Sequence, residues 1–78
     1  MLDALDLSEE YSIHEVVVPK DWINHSLAQI DVRNRYGVSI IALRRDGHVT
    51  VNINPNDLFH NDDSIYLLGD DASLDRFN

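Results

Sequence analysis

An arginine two residues after an aspartate, Asp31-x-Arg33, is the pairing in this sequence with the clearest chemical use. A planar guanidinium matches a phosphate group with two parallel hydrogen bonds, so Arg33 is a candidate phosphate ligand. The alternative is a local role: Asp31 pairs with Arg35 four residues on, or caps a second helical turn if the helix breaks there. The residues alone leave both interpretations open.

Two further residues have a polar or flat side chain that suits a ligand. His48 shares one face of an alternating run with Thr50 and Asn52, so it either faces solvent or donates a hydrogen bond to a ligand on that face. Pro55 lies in the turn cluster Asn54-Pro55-Asn56-Asp57. It is either a simple turn residue or a flat apolar ring that supports a base.

Sequence signals for catalysis and for metal binding are absent. The chain has no nucleophile elbow, no Walker loop, no HExxH and no GxGxxG motif. Its histidines are scattered without ligand spacing, and its Asp62-Asp63 and Asp70-Asp71 pairs lack the EF-hand pattern, so both pairs are predicted to be solvated turns. We therefore predict a protein that is not an enzyme and requires no cofactor.

Length and charge limit the remaining classes. A chain of 78 residues forms one domain, and a domain this small buries only about 60% of its unfolded surface, so a second copy would supply useful burial. The net charge of −8 argues against nucleic-acid binding, which needs clustered cations. The absence of cysteine fits a reducing cytoplasm. No apolar run approaches the roughly 18 residues of a membrane span, so we predict no direct membrane insertion.

The apolar pattern indicates the elements that must position these candidates. Ser26 followed by Gln29 is a capping box that begins a helix, and Gly37 is placed to end it. An apolar, β-branched run at 38–43 follows, and the turn Asp46-Gly47 joins it to the next strand as a hairpin. Further elements are predicted as strands at 11–18, 48–53 and 64–68, a helical turn at 58–60, and a helix at 70–77 capped by Asp71 or Ser73.

Together these elements predict an α+β domain over residues 11–78. It contains a small, mostly antiparallel four-stranded sheet with two short helices on one side. The valine run at 16–18 suggests burial on both faces of its strand. Residues 1–10 are acidic and unpatterned, and they are predicted to be a linker or tail, or the end of a preceding domain.

Several motifs occur in a fixed order along most of the chain. They are Val16-Val-Val-Pro19, Ser26-Leu27, Ile30-Asp31-Val32-Arg33, Tyr36-Gly37-Val38, Ile40-Ile41-Ala42-Leu43, Arg45-Asp46-Gly47, Asn54-Pro55 and Asp62-Asp63-Ser64-Ile65-Tyr66-Leu67-Leu68-Gly69. In order and spacing they resemble the RCK C-terminal domain, also called the TrkA C-terminal domain. The resemblance implies a homodimeric regulatory lobe of cytoplasmic proteins that gate potassium transporters, channels and antiporters. Its partner would be a potassium transporter or channel membrane subunit, which would hold it at the inner face of the membrane.

A subset of that family, the Ktr-type potassium-uptake regulators, binds cyclic di-AMP at the dimer interface. Its motif is two Leu or Ile, two residues of any kind, Asp or Asn, one of any kind, Arg, five of any kind, then Asn and an aliphatic residue. The sequence matches this motif at Leu27, Asp31, Arg33 and Ile40, and departs from it at Ala28 and Ser39. The family's later contacts, a histidine early in the third strand and a proline after it, fall on His48 and Pro55.

The resemblance therefore implies that these eight residues form a cyclic di-AMP site. The alternative function is a dimerisation module of a transporter, antiporter or transcription regulator that binds no small molecule. Ala28 and Ser39 favour this alternative, because they replace the larger residues of the motif.

Overall fold

The last strand in the chain is the central strand of the sheet. The computed structural model describes residues 1–78. It contains strands β1 (Asp3–Asp6), β2 (Tyr11–Val17), β3 (Ser39–Arg45), β4 (His48–Thr50) and β5 (Ser64–Asp70), helices α1 (Leu27–Ile30), α2 (Val32–Tyr36) and α3 (Asp71–Asp75), and a 3₁₀ turn at Lys20–Trp22. The five strands lie in the order β1-β2-β5-β3-β4, and every neighbouring pair is antiparallel.

The helices share a single core with one face of this sheet. Ile65 and Leu67 of β5 have no exposed surface. They belong to one buried cluster with residues from the helices and connectors: Val16, Val18, Trp22, Ile30, Val32, Val38, Phe59 and Leu74. The indole of Trp22 lies 5.4 to 5.8 Å from the rings of Tyr36, Phe59 and Phe77. Because this layer covers one face of the sheet, the other face keeps apolar side chains near solvent.

The predicted count of four strands is wrong by one. Residues 3–6, assigned to the linker or tail, form β1 and pair with β2 in the register Asp3↔Glu15 to Asp6↔Ser12. All four of these residues are exposed. Sequence patterns identify a strand by the burial of one face, so an edge strand with no buried face leaves no such signal.

Because the helices cover only one face of the sheet, two further sequence predictions are wrong. Val17 is 54% exposed between the buried Val16 and Val18, so the valine run alternates and is not buried on both faces. The strand predicted at 48–53 ends at Thr50, with Val49 and Val51 exposed by 50% and 68%.

Two loop and cap assignments also differ from the sequence prediction. Residues 58–60 form no helical turn, because Leu58 and Phe59 make isolated bridges with Ser26 and Ile23. The cap of α3 is Asp70, whose carboxylate accepts the Ser73 N–H at 2.8 Å. β5 runs two residues past its predicted end and places Asp70 directly before the helix.

The local signals around the first helix are confirmed, but the helix is broken. Ser26 and Gln29 form the capping box, and Gly37 ends α2 with a φ of 71°. Between them Asp31 adopts the left-handed conformation, with φ 58° and ψ 54°, and separates α1 from α2. The Asp46-Gly47 hairpin is also confirmed, with positive φ at both residues as a tight turn of this kind requires. None of the helices has the length and apolar character of a membrane span.

Candidate functional site

One groove contains six of the eight predicted ligand residues. It lies between α1, α2 and the start of β3 and has a volume of about 270 Å³. Its lining consists of Leu27, Ala28, Asp31, Val32, Arg33, Val38, Ser39 and Ile40. We call this surface the helix–strand groove.

The break at Asp31 gives the groove its shape. It reorients the chain so that Val32 is buried in the core while Asp31 and Arg33 stay exposed. The Asp31 carboxylate accepts a hydrogen bond from Asn34 Nδ2 at 2.9 Å. It makes no ion pair with Arg35 and no side-chain cap to α2, so neither of the local roles weighed for Asp31 is observed.

Arg33 is the arginine whose side chain has no partner within the protein. Every other arginine does have one: Arg35 donates to the Ile30 carbonyl and lies over Tyr36, Arg44 pairs with Glu15, Arg45 pairs with Asp63, and Arg76 lies over Tyr36. An exposed guanidinium with all its donors unused, on the rim of a groove, is placed to bind an anion.

The groove wall is mainly apolar. Leu27, Val32, Val38 and Ile40 supply aliphatic surface, and Arg33 and Asp31 supply the charges. Such a site suits a small molecule with both an anionic group and a flat apolar part. Val32 and Val38 were not among the predicted ligand residues, because each is an apolar residue that its pattern assigns to the core.

Pro55 lies near this groove but does not line it. Its carbonyl accepts the Ala28 N–H at 3.0 Å, so the 54–57 turn is attached to the first turn of α1. The contact uses the Pro55 backbone and not its ring.

His48 lies far from the groove within one chain. It pairs with Arg45 at the opposite end of β3 from Ser39. Six residues of extended strand span roughly 20 Å, well beyond the reach of an imidazole. The structure therefore does not bring His48 together with the other predicted ligand residues in a single protomer.

An ion pair between Arg45 and the buried Asp63 fixes the loop at 57–63 next to the start of α1. The Asp63 carboxylate accepts hydrogen bonds from Arg45 Nε at 2.8 Å, from an Arg45 terminal nitrogen at 2.7 Å and from the His60 N–H at 2.7 Å. Arg45 also donates to the Leu58 carbonyl at 3.2 Å. Because Leu58 bridges to Ser26, the pair fixes the loop against the start of the helix that forms the groove.

The electrostatics of this pair favour the ionised carboxylate. Burial by itself would raise the pKa of Asp63, since its side chain is 1% exposed. The hydrogen bonds from Arg45 and from the His60 N–H more than offset burial, and the pKa of Asp63 lies below its ordinary value of 3.8. Asp63 is therefore a structural anion and not a proton donor near neutral pH.

Residues 13–78 match the TrkA-C domain model. The chain therefore belongs to the TrkA-C domain family. The predicted family and the α+β class are both confirmed.

Among curated relatives, the chain is similar to Ktr system potassium uptake protein C of Bacillus subtilis (strain 168). The two are 32% identical over 77 residues, which cover 99% of this chain and 35% of the relative. The chain thus spans about a third of the length of the curated relatives it matches.

Two solved structures show the same architecture. The RCK C domain of the potassium transport protein KtrA, in complex with cyclic diadenosine monophosphate, matches with a TM-score of 0.82 and 32% identity, covering 91% of this chain and 84% of that one. The RCK_C domain dimer of S. agalactiae BusR, in complex with c-di-AMP, matches with a TM-score of 0.73 and 21% identity over 82% of each chain. At that lower identity the BusR match supports the fold alone.

Proposed function

We propose that this chain is the ligand-sensing regulatory lobe of a cytoplasmic potassium-transport protein. A two-fold dimer binds cyclic di-AMP in its helix–strand grooves and so controls ion flux through a transporter or channel membrane subunit. The observation that carries the proposal is the free Arg33 guanidinium on the rim of a largely apolar groove. The similarity to the KtrA domain solved with this ligand supports the choice of molecule.

The symmetry of the ligand favours a site shared by two chains. Cyclic di-AMP has two phosphates and two-fold symmetry, and a two-fold dimer presents the same groove twice. Each of the two phosphates then faces one Arg33, and the two arginines come from different protomers.

An open strand edge beside the groove allows a second copy to approach. β4 pairs with β3 only at Leu43, Arg44 and Arg45, so the outer side of residues 39–42 has no strand neighbour. If two copies meet antiparallel along this side, the far end of one β3–β4 hairpin comes close to the groove of the other chain. We assign the predicted His48 contact to this second protomer.

The negative charge of the chain does not prevent binding of an anion. Charges more than about 8–10 Å away are largely screened at physiological salt. The unpaired Arg33 therefore dominates the local field at the groove rim, apart from its neighbour Asp31.

Ala28 and Ser39 keep a second candidate function open. A dimerisation module without a ligand would have the same fold and the same open edge of β3. Ala28 offers less apolar surface than the leucine or isoleucine of the motif, and the Ser39 hydroxyl reaches less far than an asparagine amide.

Calorimetric titration with cyclic di-AMP distinguishes the two functions. We expect the wild-type chain to bind and Arg33→Ala to bind roughly ten- to a hundredfold more weakly, the equivalent of about 1.5–3 kcal/mol. Arg33→Lys should also be weakened, because a point charge cannot make a planar two-pronged contact. Thermal melts should change little, because an exposed cation near a helix C-terminus contributes about 1 kcal/mol or less.

Lys20→Ala is the matched control. It removes the same charge from an exposed position outside the groove, so it should bind like wild type. Arg33→Ala binding as tightly as wild type would show that Arg33 is not the phosphate ligand. A wild-type chain that dimerises but shows no heat with cyclic di-AMP would favour the dimerisation module.

A further inference from the structure

The turn at residues 54–57 is attached to the wall of the helix–strand groove by a backbone hydrogen bond. The Ala28 N–H donates to the Pro55 carbonyl at 3.0 Å, and Ala28 lines the groove. Directly after the turn, Leu58 bridges to Ser26 at the N-cap of α1. The turn and the residue after it therefore lie against the first turn of this helix.

The helix α1 needs this support because it has few hydrogen bonds of its own. It contains four residues, and its i to i−4 backbone bonds are those donated by Ile30 and Asp31, both at 3.0 Å. A helix this short is not stable by itself. The Ala28 N–H is a first-turn donor, which has no acceptor within a helix. The Pro55 carbonyl supplies that acceptor and so fixes the position of the groove wall.

The side chain of Asn54 determines the shape of the turn. Its Oδ1 accepts the Asn56 N–H at 2.9 Å, and its backbone carbonyl accepts the Asp57 N–H at 3.1 Å. A side-chain bond to the N–H two residues on is an Asx turn, which Asn and Asp form. Because all residues from 54 to 58 are exposed, the turn is held by these two bonds and by the fixed φ of Pro55 rather than by burial.

We propose that Asn54 is a positioning residue for the helix–strand groove. By closing the turn, its side chain places the Pro55 carbonyl within hydrogen-bond reach of the Ala28 N–H. That bond holds the first turn of α1, with Leu27 and Ala28, in the position that a ligand contacts. Asn54 itself does not line the groove. The identity of the ligand rests on the proposed function, whereas the support of α1 by the turn does not.

Amide hydrogen exchange of the full chain, measured without ligand, tests the support of α1. The Ala28 N–H reports its bond to the Pro55 carbonyl, because exchange requires that bond to open. We expect Asn54→Ala to speed exchange of this amide about two- to tenfold, which is the effect of losing one hydrogen bond. Asn54→Asp keeps a side-chain acceptor for the Asn56 N–H and should exchange like wild type.

Two controls separate this role from a general loss of stability. Asn56→Ala makes the same substitution in the same exposed turn but keeps the bond from its own N–H to the Asn54 side chain. Ser8→Ala removes a side-chain acceptor from another exposed turn outside the groove, where the hydroxyl accepts two backbone N–H groups at 3.1 Å. Neither control should change the exchange of the Ala28 amide, although Ser8→Ala should lower the melting temperature as Asn54→Ala does.

Calorimetric titration with cyclic di-AMP then measures the consequence for the groove. Asn54→Ala should bind about two- to tenfold more weakly, because only the fraction of molecules with α1 in place binds the ligand, and both controls should bind like wild type. Unchanged Ala28 exchange in Asn54→Ala, equal acceleration in Ser8→Ala, or unchanged ligand affinity in Asn54→Ala would each overturn the proposal. A wild-type chain that binds no cyclic di-AMP contradicts the proposed function, whereas the exchange rates of Ala28 still decide the role of Asn54.

Discussion

Asp63 shows how one buried carboxylate can order a loop that forms no regular structure. Its oxygens take three hydrogen bonds, two from Arg45 and one from the His60 N–H. Breaking such a pair leaves a buried charge without compensation. We expect Arg45→Ala to cost about 3 kcal/mol, the lower end for buried pairs, because the Arg45 side chain is itself 32% exposed.

Because the pKa of Asp63 is depressed in the folded state, this carboxylate should make stability depend on acid pH. Its contribution is fully present above the ordinary carboxyl value of 3.8 and is lost as pH falls through the lower folded value. Urea denaturation of wild type and Asp63→Asn across this range checks the sign. The difference in unfolding free energy between them should shrink as the pH is lowered.

Asp75→Asn provides the control for that comparison. It removes an equivalent charge from an exposed position on α3. Asp75 forms no ion pair, so its difference from wild type should be small. A difference between Asp63→Asn and wild type that does not shrink as the pH is lowered would contradict the role of the Arg45 pair.

At the scale of elements, the left-handed residue between α1 and α2 sets the geometry of the groove. The left-handed backbone conformation costs free energy for any residue other than glycine, and this cost is smaller for Asp and Asn than for most residues. Asp31→Val should destabilise the fold by about 1–2 kcal/mol, because a β-branched side chain fits the left-handed region poorly. Asp31→Asn should remain close to wild type in thermal melts.

The same pair of variants separates shape from charge in ligand binding. Asp31→Asn keeps the helix break but removes the carboxylate next to Arg33. If it melts like wild type and binds cyclic di-AMP differently, the carboxylate itself affects the ligand. An Asp31→Val chain as stable as wild type would show that the break is not strained.

At the scale of the whole molecule, the small core and the open side of β3 predict a homodimer. A chain of 78 residues has limited burial of its own. Light scattering over a concentration series should show a dimer, and cyclic di-AMP should shift the equilibrium further toward it, because a ligand shared by two chains stabilises their association. A monomer that persists at high micromolar protein with and without the ligand would contradict this prediction.

The expectation that the chain binds no nucleic acid remains a prediction. Its net charge of −8 supports it. BusR, which has this fold at 21% identity, has also been solved in complex with its promoter DNA. DNA binding is a property of BusR and is not carried over to this chain. The cytoplasmic location likewise remains part of the proposal.

Short-range signals in the sequence were sufficient to predict several caps and turns and the longest strands. The Ser26–Gln29 capping box, Gly37 and the Asp46-Gly47 turn each depend on a few neighbouring residues, and all three are confirmed. The β-branched pattern indicated the three longest strands for the same reason. The order of the motifs was sufficient to identify the family.

Contacts between distant residues decided the rest. β1 exists because it pairs with β2, although none of its residues is buried. Arg45 has a partner because the fold brings β3 next to Asp63, whereas no acidic side chain forms an ion pair with Arg33 on α2. Within one protomer, the direction of β3 separates His48 from the other predicted ligand residues. Pairing and distance are properties of the folded chain, and local sequence patterns do not contain them.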